Sequence, residues 1–349
     1  MAVNPRTRAA PVLPVLPVLP VLLVLRGLGL GDLLTAVPAL RALRRAHPGH
    51  RLVLAAPAAL GGVVELIGGV DELLDVSGPG PVPLDRPAVA VNLHGRGPRS
   101  TAALCRTGAA RLLTHAHPQF PHLHGPPWRE EVHEVARWCA LLESYGIPTD
   151  PADLYLPHPP GRPRPAGRPD GTSAETAPAQ AAGNGAGTGG HVVVHPGASA
   201  RARRWPPERF AEVAAALAAA GHRVLVTGNA AERSLAHRVG TLAGLPARSV
   251  VAGRTDAGDL ARLVAGARLA VCGDTGVAHL ATAFGTPSVV LFGPVPPARW
   301  GPPERGPHVA LWAGRHGDPH ASRPDPGLLE IGTETVLDAA LGLMEVGVR

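Results

Sequence analysis

Short apolar runs alternate with longer amphipathic stretches along most of this chain. Four apolar runs in the first half predict β-strands, at residues 22–25, 51–55, 88–92 and 110–113. Three stretches with apolar positions at helical spacing predict helices, at residues 33–45, 58–67 and 130–145. Strands and helices that alternate in this way are typical of parallel α/β units.

The alternation continues in the second half of the chain. Strands are predicted at residues 191–195, 223–227, 249–251, 269–272 and 288–292. Helices are predicted at residues 207–220, 230–242, 257–265, 277–284 and 334–346. Residues 157–190 separate the halves and consist largely of Pro, Gly, Ala, Ser and Thr, which indicates a flexible linker.

We therefore predict two α/β domains, at residues 21–156 and 191–332, followed by a C-terminal helix within residues 333–349. A chain of 349 residues is long enough for each domain to bury its own core. Residues 1–20 contain a Pro-Val-Leu repeat, and a proline at every third position removes helix donors. This segment is predicted to be a disordered extension and neither a membrane anchor nor a signal peptide.

The composition narrows the class of protein. Three cysteines, Cys105, Cys139 and Cys272, have no paired spacing, which argues against a zinc ribbon or a disulfide framework and indicates a reducing cytosol. The net charge of +6 would suit an anionic substrate, a nucleic acid or an acidic membrane surface. All 33 cationic residues are arginine, however, as a GC-rich genome would produce, so most of the charge is interpreted as compositional drift.

The segment that follows the predicted strand at residues 269–272 is suited to bind phosphate. Asp274 can cap a helix that begins at Thr275, and the free N–H groups of Thr275 and Gly276 would then face outward. His279 lies one turn later on the same helical face and can reach a phosphate or a sugar. A capped helix in an ordinary α/β turn would have the same pattern.

Cations for such a site follow the strand at residues 191–195. Ser199 can donate to phosphate oxygens, and either Arg203 or Arg204 can hold them through a planar set of donors.

A glycine-spaced loop follows the strand at residues 22–25. Its spacing differs from the dinucleotide fingerprint, and Asp32 stands where a cofactor pyrophosphate would lie, which argues against NAD. From the sequence alone, Asp32 can serve as the N-cap of the helix that follows.

In this order the segments resemble glycosyltransferase family 9, which includes ADP-heptose:lipopolysaccharide heptosyltransferases. The matching motifs are the glycines and Asp of residues 29–32 with Pro-Ala-Leu at 38–40, Pro-Gly-Ala-Ser at 196–199 with Arg203 and Trp-Pro at 205–206, Thr-Gly at 227–228 with Glu232, and Asp-Thr-Gly-x-x-His at 274–279. Much of the family has lysine where this chain has Arg203.

The resemblance implies a GT-B fold, in which two Rossmann-like domains face each other across a cleft. It implies the inverting transfer of a heptose-like sugar from a nucleotide-diphosphate donor, ADP-linked by family precedent, to a glycan or lipid-linked acceptor. Neither a metal nor another cofactor is implied, and no Asp-x-Asp pair is present. In this GT-B arrangement the C-terminal helix commonly returns to the N-terminal domain.

The resemblance also assigns roles to residues. Asp32 would be the general base. The donor diphosphate would be held by Ser199, Arg203, Thr275, Gly276 and His279. The ribose or base would be held by Thr227, Gly228 and Glu232.

Two polar loops in the first half of the chain contain further candidate residues. Asn92, His94 and Arg96 follow a predicted strand and are candidates for contacting the acceptor, although a satisfied polar loop would have the same composition. His115, His117, His122 and His124 have metal-like spacing but lie in a Pro-broken loop without a carboxylate or cysteine, so no metal is expected there. The helix at residues 130–145 is expected to expose His133, Glu134 and Arg137 to solvent.

Two other classes stay open. A nucleotide-sugar 2-epimerase of the same fold would need no acceptor. A nucleic-acid-binding protein would explain the charge, but only 3% of residues are aromatic and no basic helix is present. We expect a cytoplasmic glycosyltransferase whose arginine excess allows peripheral association with the inner face of the membrane. The sugar, the nucleotide base, the acceptor and the oligomeric state stay open.

Overall fold

A computed structural model describes residues 19–160 and 190–346 of the chain. Most of the predicted extension at residues 1–20 and most of the predicted linker at residues 157–190 lie outside these described residues.

The first domain is a parallel five-stranded sheet in the order β3-β2-β1-β4-β5. Its strands are β1 (Val21–Leu25), β2 (Arg51–Ala56), β3 (Glu72–Asp75), β4 (Val89–Asn92) and β5 (Arg111–Leu113). Its helices are α1 (Leu30–Thr35), α2 (Val37–Ala46), α3 (Gly61–Ile67), α4 (Arg99–Arg106) and α5 (Glu134–Glu143). Leu22, Leu23, Val24 and Leu25 of the central strand are all fully buried, because helices cover both faces of the sheet.

The second domain is another parallel five-stranded sheet, in the order β10-β9-β8-β6-β7. Its strands are β6 (His191–His195), β7 (Val224–Val226), β8 (Ala267–Gly273), β9 (Ser288–Phe292) and β10 (His308–Trp312). Its helices are α6 (Pro207–Ala219), α7 (Arg233–Leu242), α8 (Ala257–Ala265), α9 (Gly276–Phe284), α10 (Pro297–Trp300), α11 (Pro326–Glu330) and α12 (Thr333–Val346). The predicted two-domain α/β fold is thereby confirmed.

The strand order reverses once in each sheet, between β1 and β4 in the first and between β6 and β8 in the second. Loops that leave the carboxyl ends of strands at such a switch point diverge and form a crevice, which is where open α/β sheets bind ligands. The loops after β1, β6 and β8 contain the motifs on which the sequence interpretation rests.

The two domains meet along α1 with α9 and along α3 with α8. Glycines allow the helices to approach closely. A Cβ atom at Gly276 would lie 2.9 Å from the Leu30 side chain, and one at Gly62 would lie 3.0 Å from the Gly258 backbone. A backbone hydrogen bond of 2.8 Å from Leu156 N–H to Ala283 O adds a further contact between the domains.

Several predicted elements differ from the structure. The predicted helix at residues 33–45 is two helices, with Pro38 in the first turn of the second, where its missing N–H is tolerated. The predicted helix at residues 130–145 is reduced to α5. The predicted strand at residues 249–251 is a single bridge between Val226 and Val250. The short elements β3, α4, β10, α10 and α11 have no counterpart in the prediction.

The C-terminal helix α12 packs on its own domain, against α6, β8 and β9. Val336, Ala340 and Met344 join the core of the second sheet. The expectation that this helix returns to the N-terminal domain is therefore wrong. The apolar face of α12 is buried against the sheet of its own domain, directly after α11. None of the helices in the described part of the chain combines the length and apolar character that crossing a bilayer requires.

Candidate active site between the two domains

A cavity of about 680 Å³ lies in the cleft between the domains. Its walls come mainly from the loops and helix N-termini that follow β1, β6, β7 and β8. The predicted site residues that line it are Asp32, Ser199, Arg203, Gly228, Glu232, Asp274, Thr275, Gly276 and His279. The structure thus brings together residues that are as much as 247 positions apart in the chain.

Asp32 enters the cavity from the first domain as the third residue of α1. This helix begins at Leu30 with Gly29 at the N-cap position, so Asp32 is not the N-cap residue. Its side chain is 30% exposed, and Oδ1 lies 3.6 Å from Nη2 of Arg26. Burial raises the pKa of Asp32 above its ordinary value, while Arg26 acts against that increase. A carboxylate with a raised pKa is better matched to accept a proton near neutral pH.

Arg203 enters the cavity from the opposite domain, at the end of the short 3₁₀ helix Arg201–Arg203. Its Nη1 donates to Asp274 Oδ2 at 3.4 Å, and its Nη2 donates to Ser199 Oγ. Its Nε is buried and has no hydrogen-bond partner among the described residues. Arg204 instead donates to Ala198 O at 2.9 Å, so Arg203 is the arginine that faces the cavity. Its guanidinium has donor capacity left for an anion.

Asp274 is buried beside Arg203 and does not cap α9. The helix begins one residue later than predicted, with Thr275 at the N-cap position, so the prediction of Asp274 as the cap is wrong. Burial raises the pKa of Asp274, and the adjacent Arg203 guanidinium lowers it. The carboxylate holds the arginine against the cavity wall.

The N-terminus of α9 faces the cavity through Thr275 and Gly276. The first N–H groups of a helix have no partner within the helix, and the helix dipole makes this end favourable for anions. The Thr275 hydroxyl oxygen is buried and has no hydrogen-bond partner among the described residues. These donors lie on the same cavity as Arg203.

His279 lies one turn further along α9, at the contact between the domains. A Cβ atom at Gly31 would lie 2.8 Å from its Cδ2, and its ring packs edge-on at 6.0 Å from the ring of Trp300. Burial, reinforced by nearby His133, lowers the pKa of His279 to about 4. The imidazole is therefore neutral at pH 7 and offers a hydrogen bond without a positive charge.

Glu232 lines the cavity next to Gly228. Its Oε2 accepts from Asn229 N–H at 2.9 Å, and its own N–H donates to Asn229 Oδ1 at 3.0 Å. This reciprocal capping pair fixes the carboxylate and leaves Oε1 available to a ligand. A Cβ atom at Gly197 would lie 2.2 Å from Oε1, so only glycine fits opposite it.

His195 lies behind Glu232 and lines the cavity, although the sequence interpretation did not assign it a role. Its Nε2 is 3.9 Å from Glu232 Oε2, and its Nδ1 hydrogen-bonds Thr227 Oγ1 at 3.0 Å. Thr227 is fully buried and does not line the cavity, so its side chain supports His195. A histidine at the end of a buried strand, next to the Pro-Gly turn, was the available sequence signal.

The predicted acceptor residues lie outside the lining of this cavity. Asn92 is fully buried, and its Nδ2 donates to hydroxyls of the first domain, so the prediction that it contacts an acceptor is wrong. It also accepts from His94 N–H at 3.2 Å, which shapes the loop. Burial, reinforced by nearby Arg26, lowers the pKa of His94 to about 4. Arg96 pairs with Glu130 at the surface.

The prediction of a solvent-exposed face on α5 is also wrong for two of its residues. Glu134 and Arg137 are 7% and 4% exposed. Glu134 forms an ion pair with Arg26 across 108 positions of sequence, which no local pattern reveals. His133 caps the helix, and its Nε2 makes a 3.0 Å hydrogen bond with Gly301 O of the second domain. Within residues 19–160 and 190–346, no group of three or more His, Cys, Asp or Glu residues is arranged to hold a metal ion.

Comparison with known proteins decides the family. The sequence model described as glycosyltransferase family 9 (heptosyltransferase) matches residues 101–325, which is more than half of the chain. The chain belongs to glycosyltransferase family 9. The predicted resemblance is confirmed, and the residues matched contain the loops that hold Arg203, Glu232 and Asp274.

Curated relatives match over a shorter stretch. Lipopolysaccharide heptosyltransferase 1 of Pseudomonas aeruginosa is 38% identical over 96 residues, which is 27% of this chain and 26% of that protein. Lipopolysaccharide heptosyltransferase 2 of Escherichia coli K12 is 32% identical over 101 residues, 28% of each chain. The matched stretch thus spans about a quarter of the length of these relatives.

Solved structures match the fold over almost the whole chain. A family 9 glycosyltransferase from Veillonella parvula has a TM-score of 0.71 at 20% identity and covers 94% of this chain and 98% of its own. E. coli ADP-heptose LPS heptosyltransferase II has a TM-score of 0.70 at 18% identity, covering 94% and 100%. E. coli heptosyltransferase WaaC with ADP has a TM-score of 0.62 at 18% identity, covering 91% and 98%. The predicted GT-B architecture is confirmed.

Proposed function

We propose that this protein transfers a heptose-like sugar from an ADP-linked donor to a hydroxyl of a glycan or lipid-linked acceptor, with inversion and without a metal ion. The observation that supports this most is the cavity itself. A carboxylate from one domain, Asp32, and an anion-binding set from the other, centred on Arg203, line the same space. Glycosyl transfer needs a base for the acceptor and positive groups for the departing diphosphate.

The second domain would bind the donor. Arg203, Ser199 and the N–H groups of the first turn of α9 would hold the diphosphate and stabilise the charge that develops as it departs. Neutral His279 would add a hydrogen bond. Glu232 would accept from a ribose hydroxyl through Oε1, because Oε2 already accepts from Asn229 N–H. The ADP in the similar E. coli heptosyltransferase structure supports adenine as the base.

The first domain would supply the base. Asp32 would take the proton of the acceptor hydroxyl while the acceptor oxygen attacks the anomeric carbon. The bond between this carbon and the diphosphate oxygen breaks on the opposite side, and the nucleoside diphosphate leaves with the electron pair. A single displacement at this carbon inverts its configuration.

The proposal also covers the acceptor side of the site and the location of the protein in the cell. His94 and Arg96, on the loop after β4, remain the candidates for contacting the acceptor, since this loop leaves the switch point of the first sheet.

We place the protein in the cytoplasm, with peripheral binding to anionic membrane through its arginine excess. Release of a membrane-bound fraction by salt would test that binding, whereas recovery only in detergent would contradict it.

The donor is tested first by thermal shift with ADP-, GDP-, UDP- and dTDP-sugars. A ligand at a hundred times its Kd should stabilise the protein by about 2.7 kcal/mol. Transfer is then followed with radiolabelled ADP-heptose, with and without a lipid-linked glycan fraction. Label that enters the glycan only when protein is present supports transfer. A 2-epimer formed from donor alone would instead indicate an epimerase.

Substitution Asp32→Asn should lower the rate of transfer by at least about a hundredfold, as expected for loss of a general base. ADP affinity should stay close to that of the wild type, since the carboxylate acts on the acceptor. Turnover and calorimetric ADP titration measure the two effects. Asp75→Asn, at the exposed end of β3, is the matched control. Near-normal turnover of Asp32→Asn would exclude it as the base.

A further inference from the structure

Arg26 follows β1 directly and is fully buried beneath Asp32. Its Nε donates to the main-chain oxygen of Asp32 at 2.8 Å, and its Nη2 donates to Thr35 Oγ1 at 3.1 Å. Its Nη1 donates to Leu93 O, at the end of β4. One guanidinium thereby connects α1, which carries the proposed base, to the loop after β4, which carries the proposed acceptor residues His94 and Arg96.

Glu134 is the carboxylate partner of this arginine. Its Oε1 accepts from Arg26 Nη2 at 3.2 Å and from Trp138 Nε1 at 2.9 Å, and its Oε2 accepts from Arg137 Nε at 3.0 Å. The Arg26 guanidinium also lies 4.7 Å above the Trp138 ring. Every oxygen of Glu134 is therefore used within the protein, and neither Glu134 nor Arg26 lines the cavity.

The charges of this cluster do not balance without Asp32. Arg26 and Arg137 are buried with the single carboxylate of Glu134, which leaves one positive charge in excess. The carboxylate of Asp32, 3.6 Å from Arg26, balances it. A buried charge that is not balanced in this way is costly.

Charged and titratable groups of the second domain also lie near Asp32. Arg203 and Asp274 pair with each other, and His279 is neutral at pH 7 because burial lowers its pKa to about 4. Arg26 favours the ionised form of Asp32, whereas Glu134 opposes it. The balance on the first-domain side is therefore set by this buried pair.

We propose that Arg26 and Glu134 are a positioning pair for Asp32: the arginine orients and ionises the carboxylate, and Glu134 weakens that effect so that the carboxylate can still accept a proton. The role of Asp32 as the base rests on the proposed function. The electrostatic coupling of the three residues does not, and it can be measured without substrate.

The test is a titration of protein labelled with ¹³C at the aspartate carboxyl carbons, followed by NMR, with the Asp32 signal assigned by its loss in Asp32→Asn. Arg26→Gln should raise the pKa of Asp32 by at least about one pH unit. Glu134→Gln should lower it. Arg26→Lys keeps the charge and should leave the pKa close to that of the wild type, while turnover falls because the planar set of donors is lost.

Circular dichroism identifies variants that fold, and if Arg26→Gln does not fold, Glu134→Gln and Arg26→Lys decide the question. An Asp32 pKa that is the same in folded Arg26→Gln and Glu134→Gln as in the wild type would overturn the proposal. The acid limb of the pH–rate profile should move in the same two directions. If the NMR shifts occur but Asp32→Asn retains turnover, the coupling stands and the proposed function fails.

Discussion

At the scale of single residues, the two groups proposed to carry the chemistry each have a buried counter-ion. Asp32 is paired with Arg26, and Arg203 is paired with Asp274. Each partner keeps a charged group in place while leaving part of it open to the cavity. Such preorganisation favours catalysis, since the groups need not be reordered when charge develops.

Substitution Arg203→Ala should weaken binding of ADP by about 1.5–3 kcal/mol, because a charge-assisted contact to the diphosphate is lost. Calorimetric titration with ADP measures the loss. Arg201→Ala, exposed on the same short helix, is the control and should bind ADP as the wild type does. Unchanged affinity in Arg203→Ala would remove this residue from the diphosphate site.

The position of motif residues such as Arg203 and His279 at one cavity could be predicted from the sequence, because their type and spacing are local properties of a strand–turn–helix. The roles of Arg26 and Glu134 could not. Glu134 lies on an amphipathic helix where a carboxylate is ordinarily solvated, and its burial depends on an arginine 108 residues away. Partners brought together by the tertiary fold leave no signal within a short window of sequence.

At the scale of elements, the crossing of α1 and α9 positions the site. Gly31 and Gly276 allow the two helices to touch, which brings Asp32 and the N-terminus of α9 to one cavity. Larger side chains at these positions would separate the elements that carry the two halves of the proposed reaction.

Substitution Gly31→Ala should destabilise the protein by about 1–3 kcal/mol, because the added methyl group would lie 2.8 Å from His279 Cδ2. Denaturant unfolding measures the change. Gly342→Ala, on α12 with open space around it, is the matched helical control and should be neutral or stabilising. Equal stability of Gly31→Ala and the wild type would show that this helix crossing tolerates the extra atom.

The elements that could be predicted accurately are those whose pattern reflects deep burial. The strands at residues 191–195 and 288–292 and the helix at residues 257–265 match the structure at both ends. The missed strands β3 and β10 are at the edges of their sheets and are only partly buried. β3 has only two apolar residues, whereas β10 does contain a short apolar run, at residues 309–312, which the prediction did not include.

At the scale of the whole molecule, three buried or half-buried histidines couple stability to pH. Burial lowers the pKa of His94 and of His279 to about 4, and it also lowers the pKa of His195. Between pH 6.5 and 4 the unfolded chain therefore binds more protons at these sites than the folded chain does. The free energy of unfolding should fall as pH is lowered through this range.

Burial raises the pKa of Asp32 and of Asp274, so these two carboxyl groups stabilise the folded protein as pH falls and oppose the effect of the histidines. The contribution of one histidine is therefore measured by comparing a variant with the wild type. His279→Gln should show a smaller loss of stability than the wild type between pH 6.5 and 4, by urea unfolding at each pH. The exposed His320→Gln is the control and should follow the wild type. Parallel curves for all three proteins would contradict the role of His279.

The two domains should also unfold together. The largest apolar core continues from the first domain into the second, with Leu33 and Leu34 of α1 in the same cluster as Val277 and Leu280 of α9. An interface that is apolar and continuous with both cores couples the stability of one domain to that of the other, unlike the small polar contacts that join independent domains. We expect one calorimetric transition for the wild type.

Substitution Leu30→Asp tests this coupling, because Leu30 is partly buried and packs on Gly276, and a carboxylate at that apolar contact would weaken the packing of the two helices. The single transition should then broaden or split into two, as each domain retains a complete sheet of its own. Leu329→Asp, at a leucine of α11 that is 40% exposed, adds the same charge away from the interface and should keep one transition. Two resolved transitions in the wild type would mean that α1 and α9 do not couple the domains, and the shape of the cavity would then depend on ligands to bring them together.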